Sequence, residues 1–388
     1  MLAVQFLKLI LRNALRHKLR TGLTVLGLIV AILAFGLLQT IVDAWYAGAN
    51  AAAPNRLITR NAISLVFPMP LHYREKIRAV PNVRSVTPFN WFGGYYQDPK
   101  NFFAQFGVDP LPFLAMYPEY RVPEDEVRAF ERDRKGALIG RKLADTYGFK
   151  IGDTIPLQGT IYPGTWSFTV RGIYDGAEAK TDTAQMLFHW DFLNETMKQR
   201  IPRRGDQVGV FVVQVSDPQR SAETAQAIDA LFKNSLAETL TETEKAFQLG
   251  FVAMTEAIVV AIRIVSFVVI FIILAVMANT MAMTARERTP EYATLKALGF
   301  SPAYVAMLIL GESIAIALIG AAAGILLTFP VGEWFASKMG TLFPVFEVSR
   351  STIALQIACA MVVGIVAALL PGRSAARVRI VEGLRAIG

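Results

Sequence analysis

The chain has one cysteine and three histidines in 388 residues. Cys359 falls inside an apolar run, so no intramolecular disulfide can form, and an exported region would have to hold together on its own core. His17, His72 and His189 are too far apart in sequence to show metal-ligand spacing, and no HExxH or nucleophile-elbow pattern occurs. There is also no G-x-x-x-x-G-K-[ST] phosphate loop, which excludes nucleotide binding of that kind. These absences predict no catalytic residues, no metal and no cofactor in this chain.

Charge is missing in places that matter more. No acid occurs among the first 42 residues. Four stretches carry almost no charge: 21–42, 264–285, 302–330 (where Glu312 is the one exception) and 351–372. Each is long enough for a hydrocarbon core of about 30 Å, where backbone polar groups must bond within their own segment. Four transmembrane helices are therefore expected, at 21–42, within 241–285, at 302–330 and at 351–372. A short loop at 331–350 joins the last two, and a tail occupies 373–388.

The basic residues that remain flank these runs on one side. Lys8, Arg12, Arg16, Lys18 and Arg20 precede the first, Arg286, Arg288 and Lys296 lie between the second and third, and Arg373, Arg377, Arg379 and Arg385 follow the fourth. They face only Glu287, Glu291 and Glu382, a local excess of +9 against +8 for the whole chain. That asymmetry is a positive-inside pattern and gives no reason to invoke nucleic acid. It places both termini in the cytoplasm and residues 43–240 outside. Trp45, Tyr46 and Trp334 fall at the outer interface. Ala47, Gly48 and Ala49 resemble a signal cleavage site, but a signal h-region runs only about 7–15 residues, shorter than this span. Residues 1–20, with bases on one side and Leu7, Ile10, Leu11, Ala14 and Leu15 on another, are expected to form an amphipathic interfacial helix.

The inserted segment 43–240 reads as mixed α and β. Residues 165–170 alternate as a half-buried strand, 208–215 form a buried strand, and 137–139 and 154–157 are further strands. Helices are expected at 73–80, at 141–147 with Gly148 as the stop, and after Pro218. Proline and aromatics crowd 88–123, which reads as loop packing over a small sheet, with a ligand-facing surface as the alternative. From about 240 to 284 there is no proline and Gly250 is the only glycine. This predicts one continuous helix of roughly 67 Å, a stalk running into the second span.

The most informative stretch is 286–301, a polar helix signal between two spans. Thr289 suits an N-cap, Pro290 the first turn and Gly299 the C′ position. Tyr292, Leu295 and Leu298 recur on one face, expected to dock on a cytoplasmic partner. Glu312, about 15 Å into the third span, is either a functional intramembrane acid or a carboxylate paired with a helix end or a base. Gly320 and Gly324 form a small-xxx-small face, read either as packing within the bundle or as a subunit contact. Gly22, Gly27 and Gly36 on the first span are expected to allow close approach in a dimer.

Several of these motifs together resemble the MacB/FtsX-like family of ABC-transporter permeases, the type VII architecture. NALRHKLRTGLTVLG at 13–27 is similar to its N-terminal signature, and ALIGRKLA at 137–144 with GFKIGD at 148–153 to its external-domain signature. Residues 279–299 resemble its coupling region, with Glu287, Arg288, Glu291, Lys296, Leu298 and Gly299 in place. Glu312 matches a recurrent acid, and 371–385 resembles the C-terminal end. Pro290, Tyr292, Ala293 and Ile380 depart from the usual pattern.

The resemblance implies a multi-pass protein of the bacterial inner membrane. It would act as a dimer, with an identical or different second permease subunit, on two copies of a separate cytoplasmic ABC ATPase that holds ATP and Mg. Mechanotransmission would drive export or extraction of a lipid, lipoprotein, peptide or drug, with room for a periplasmic adaptor and with membrane lipids around it. An FtsX-like signalling subunit activating a cell-wall hydrolase is the alternative. An ATPase-independent anchor is the third reading, against which the capped helix argues.

Overall fold

The computed structural model describes residues 10, 12–14, 16–178, 180–339, 343 and 345–380. Most of the amphipathic helix expected at 1–20 and the end of the tail, 381–388, lie outside them. Among the described residues the helices are α1 (Lys18–Trp45), α2 (Ala47–Ala51), α3 (Tyr73–Arg78), α4 (Pro110–Met116), α5 (Glu124–Arg132), α6 (Arg141–Tyr147), α7 (Trp190–Arg200), α8 (Ser221–Leu231), α9 (Glu244–Met254), α10 (Glu256–Glu287), α11 (Thr289–Ala297), α12 (Pro302–Met339) and α13 (Arg350–Arg377). The strands are β1 (Arg56–Asn61), β2 (Met69–Pro70), β3 (Val83–Trp91), β4 (Gly94–Tyr96), β5 (Ala104–Val108), β6 (Tyr120–Arg121), β7 (Gly136–Gly140), β8 (Thr154–Gly159), β9 (Gly164–Gly176), β10 (Gln185–His189), β11 (Gln207–Val208), β12 (Val210–Val215) and β13 (Thr239–Thr243).

These elements form two compact units. The first comprises Met1–Asp43, Glu256–Lys338 and Phe346–Gly388. It contains α1, α10, α12 and α13, all long and apolar enough to cross a membrane. Its core is a single cluster that includes Leu28, Phe35, Met277, Tyr292, Ile309, Ala317 and Val363. α12 runs on through Pro330 and α13 through Pro371, so both helices extend past the charge-free runs that define them in sequence. Ser313 Oγ donates to the Gly364 carbonyl at 2.6 Å and Thr328 Oγ1 to the Gly324 carbonyl at 2.8 Å.

The second unit, Ala44–Thr255 with Met339–Val345, is a mixed α/β domain. Its main sheet runs β13-β1-β12-β3-β5-β10-β7-β9-β8-β4, with β6 added on β9. The β5/β10 and β7/β9 pairs are parallel and the others antiparallel. Helices α3 and α8 cover one part of the sheet around Ile77, Phe211 and Ile228. A second cluster around Phe92, Leu143, Phe168 and Phe188 seats α6 and α7. A third, around Phe113, Tyr174 and Val212, seats α4 and α5.

Two expectations fail here. The segment 88–123 is no loop lying over a small sheet. It supplies the end of β3, then β4, β5, α4 and β6, and many of its aromatics are core: Phe92, Phe103 and Phe113 are fully buried, with Phe89 stacked on Phe106 at 4.3 Å, while Trp91 and Phe102 stay exposed. Prolines at 110 and 112 mask this, because Pro110 sits in the first turn of α4, where a missing N–H costs nothing.

The continuous helix from 240 to 284 also fails. Thr239, Thr241 and Thr243 alternate along β13 and favour a strand, so 239–243 pairs with β1 in the sheet, and the Thr59 and Thr241 hydroxyls meet at 2.9 Å. The helix starts only at Glu244, capped by Thr243, whose hydroxyl accepts from the Ala246 N–H. It breaks again at Thr255 (φ −113°, ψ 14°). There the Thr255 N–H and hydroxyl both reach the Val252 carbonyl at 3.0 Å, and Trp45 Nε1 donates to the same hydroxyl at 2.7 Å. A threonine that bonds its own preceding turn competes with helix continuation. The boundary between domain and second span therefore lies at 255/256, not 240/241.

Candidate coupling site at the end of the membrane bundle

α11 is short, and its ends are fixed by local chemistry. Thr289 is the first helical residue rather than the cap: Arg288 occupies the cap position, and the Thr289 hydroxyl donates back to the Arg286 carbonyl at 2.8 Å. At the other end Gly299 takes φ +92°, its N–H bonds the Lys296 carbonyl at 3.0 Å, and the Phe300 N–H bonds the Leu295 carbonyl at 3.1 Å. This is a Schellman closure, which needs a residue tolerant of positive φ at 299.

The helix is joined to the rest of the bundle by a chain of ion pairs and caps. Arg288 and Glu312 are 5% and 2% exposed, and Arg288 Nη1 lies 2.8 Å from both Glu312 oxygens. Arg288 Nε also donates to Glu291 Oε2 at 2.9 Å, and Glu291 Oε1 is taken by Arg16. Asn13 and Glu312 line the same small cavity. Burial works against the charge of Arg288 but is outweighed by the Glu312 carboxylate beside it, so the guanidinium pKa lies above its ordinary value. At Glu291, burial is outweighed by hydrogen bonds from Arg288 and Arg16, which hold the carboxyl below its usual range. Glu287, the last residue of α10, forms a two-point pair with Arg20 of α1 at 2.7 and 2.8 Å. Lys296 Nζ donates to the Ala376 and Val378 carbonyls at 2.6 and 2.8 Å, capping the end of α13.

So the segment 287–297, α11 with the two residues that lead into it, is tied to each of the four long helices: Glu287, which ends α10, pairs with Arg20 of α1, Arg288 at the cap pairs with Glu312 of α12, and Lys296 caps α13. Glu312 is thereby paired with a base from the neighbouring segment. Arg16, Arg20 and Asn13 do not stand out in sequence as members of this site, since the bases there read only as a topology signal. Their spacing of three and four residues along one helical direction was the available clue.

The apolar face of α11 divides. Tyr292 is buried in the bundle core together with Ala293, and Leu295 packs partly against the same core. Burial also raises the Tyr292 pKa. Leu298, by contrast, is 72% exposed and Phe300 41%. Thr294 and Ala297 are exposed beside them. The outward surface is therefore Thr294, Ala297, Leu298 and Phe300, and the expectation that Tyr292 and Leu295 share an outward docking face with Leu298 is corrected. A period-three pattern cannot separate the inward from the outward half of so short a helix.

The small residues are placed as follows. Cβ atoms at Gly320 and Gly324 would come within 2.5 Å of Leu28 and 3.0 Å of Ile32, so these glycines let α12 approach α1 inside the bundle. Gly36 lies under Gln356, whose Nε2 a Cβ would meet at 2.1 Å, and Gly27 faces Ile273 at 3.1 Å. Both therefore serve packing within one chain rather than a dimer contact. Gly22 alone has open space around it.

Comparison with known proteins agrees with this architecture. A MacB-like periplasmic core domain matches residues 21–231, and an FtsX-like permease C-terminal domain matches residues 263–380. An uncharacterised ABC transporter permease of Methanocaldococcus jannaschii is 23% identical over 407 residues, covering 96% of each chain. The macrolide export ATP-binding/permease protein MacB of Shewanella oneidensis is 32% identical over 104 residues, 27% of this chain and 16% of that protein. The periplasmic region of MacB from Actinobacillus actinomycetemcomitans superposes with a TM-score of 0.37 at 10% identity, over 52% of this chain and 94% of that one. The inserted α/β domain is thus extracytoplasmic, and the chain, an inner-membrane protein, belongs to the MacB- and FtsX-like family of ABC transporter permeases.

Proposed function

We propose that this chain is the permease subunit of a mechanotransmitting ABC system. A separate cytoplasmic ATPase binding ATP and Mg docks on α11 and drives export or extraction of a lipid, lipoprotein, peptide or drug outside. The observation that carries this reading is that the segment 287–300, which holds α11, is tied to all four long helices yet presents Leu298 and Phe300 to solvent. A push on that surface reaches every span at once. The permease would act as a dimer with two ATPases, leaving a place for a periplasmic adaptor. The MacB-like core over 21–231 favours transport over hydrolase activation.

Leu298→Asp tests the docking surface. Because the side chain is largely exposed, the substitution should leave the fold intact, yet it puts a charge where a partner must desolvate it, at a cost of about 2–4 kcal/mol. Co-purification of its cytoplasmic ABC ATPase partner should fall at least tenfold with an unchanged melting temperature. Retained co-purification ends the docking role.

The orientation is tested by single-cysteine labelling in a Cys359→Ser background. Ser216→Cys, exposed in the α/β domain, should react with an impermeant maleimide in intact cells. Ser301→Cys, next to α11, should react only after lysis. The reverse pattern inverts the topology.

A further inference from the structure

Arg56 is 2% exposed, which is unusual for a guanidinium. It opens β1, the first strand after α1, and its surroundings come from three places in the chain. Nε donates to Glu244 Oε2 at 2.6 Å, at the start of the helix that leads to the second span. Nη2 and Nη1 reach Glu119 Oε1 and Oε2 at 2.6 and 3.1 Å, and Nη1 also bonds the Met116 carbonyl at 3.0 Å. The guanidinium stacks over Tyr117 at 4.0 Å, and the Tyr117 hydroxyl donates to the other Glu244 oxygen at 3.0 Å. The Ala53 N–H adds a bond to Glu244 at 3.2 Å. One side chain thus gathers the segment arriving from α1, the segment leaving for α10 and the turn after α4.

That turn does not stay at this edge of the sheet. The Glu119 carbonyl accepts from the Ala177 N–H at 2.8 Å. Tyr120 and Arg121 form β6, paired to Gly176 and Asp175 of β9. The Tyr120 hydroxyl accepts from Gln185 Nε2 at 2.6 Å, and its ring meets Tyr174 at 4.8 Å. In the sheet, β9 stands six strands from β1. The 116–121 segment therefore bypasses β12, β3, β5, β10 and β7 and joins the two halves of the domain directly, with Arg56 at its membrane-connected end.

We propose that Arg56 is a positioning residue for force transmission. It couples the β1/β13 edge, to which both neighbouring spans connect, to the far half of the α/β domain through Glu119 and β6. The proposal rests on the reading that this domain is driven from the membrane. The geometry favours it over simple stabilisation. A buried ion cluster contributes little net stability against an apolar replacement, whereas the fork of arginine engages two separate carboxylates in fixed directions.

The test reads hydrogen exchange on the full-length chain in lipid nanodiscs with no ATPase present, so failure of the coupling reading and failure of this one can be told apart. Arg56→Lys keeps the charge but cannot hold Glu244 and Glu119 together. It should speed exchange about tenfold in peptides covering 117–121 and 174–178, with β8 unchanged as the control for folding. Glu119→Gln should, reciprocally, speed exchange at 244–249, which Glu119 does not touch. Arg56→Met should show both effects. If Glu119→Gln alters only its own turn, or if Arg56→Lys loosens β8 equally, the strut is refuted and Arg56 is a stabilising residue only.

Discussion

Arg288→Met is expected to lower the melting temperature of the detergent-solubilised protein by the largest margin of any single change at the candidate coupling site. The substitution leaves Glu312, 2% exposed, without its cation. Breaking a buried pair on one side costs about 3–5 kcal/mol, because the remaining charge must be neutralised or the site must open. Glu312→Leu should be costly for the mirror-image reason. The double variant Arg288→Met/Glu312→Leu should recover most of the loss, since an apolar pair of similar volume in a buried site is often neutral or better. Recovery of stability without recovery of ATPase-coupled work would show that the pair exists to connect α11 to α12. A double variant as unstable as the single one would show that the loss does not come from the uncompensated Glu312 charge, and that the bond from Arg288 to Glu291 is what matters there.

The parts of this molecule that were legible in sequence are those where one physical constraint dominates. Charge-free runs of about twenty residues have few fates other than crossing a bilayer, and a glycine after a short polar helix marks a positive-φ closure, as Gly299 does. The four spans, the inserted α/β domain and the existence of α11 follow from such constraints. What was not legible depends on long-range partners. Tyr292 and Leu298 are three-periodic neighbours of a similar character, yet one is buried and the other 72% exposed, because the burial of each is set by helices far away in sequence. The strand at Thr239–Thr243 is extended because β1 lies beside it, although the absence of proline and glycine around it permits a helix equally well. The break at Thr255 is a local competition for the Val252 carbonyl, reinforced by Trp45 from more than 200 residues upstream.

The same contrast explains the basic segment before the first span. Its charge predicts a side of the membrane, but charge alone does not distinguish a solvated lysine from Arg20, locked to Glu287, or Arg16, locked to Glu291. These pairs are partly exposed, so each adds little to stability. Their importance is geometric: together with Lys296 they fix the angle at which α11 meets the bundle, and so the direction in which a push on Leu298 would be passed on.

Gly140→Ala should be the most damaging single methyl in the extracytoplasmic domain. Gly140 ends β7 and occupies the cap position of α6 with ordinary extended backbone (φ −75°, ψ 154°), so conformational freedom is not what glycine supplies here. It supplies space. A Cβ at 140 would lie 2.0 Å from the Thr183 carbonyl oxygen and 2.3 Å from its carbon, both of them backbone atoms that no rotamer change can move. That carbonyl accepts the Leu143 N–H at 3.2 Å, so it does for the first turn of α6 what a capping side chain does elsewhere. An added methyl must either push the 183 segment away or unseat Leu143, which is fully buried among Phe103, Phe168 and Phe188. Overpacking of this kind costs roughly 1–3 kcal/mol, and loss of the cap adds about 1 kcal/mol. Gly140→Ser should fare no better, although serine is a good cap by type, because its Cβ meets the same carbonyl. The measurement is the unfolding transition of the full-length chain followed by tryptophan fluorescence, with Gly148→Ala, where nothing lies within 4 Å but φ is +72°, as a comparison that probes strain without a clash. Gly140→Ala should lower the transition by more than Gly148→Ala does. Equal or smaller damage at 140 would mean that the Thr183 carbonyl can retreat, and that the glycine in the ALIGRKLA motif is there for a reason other than closeness of approach.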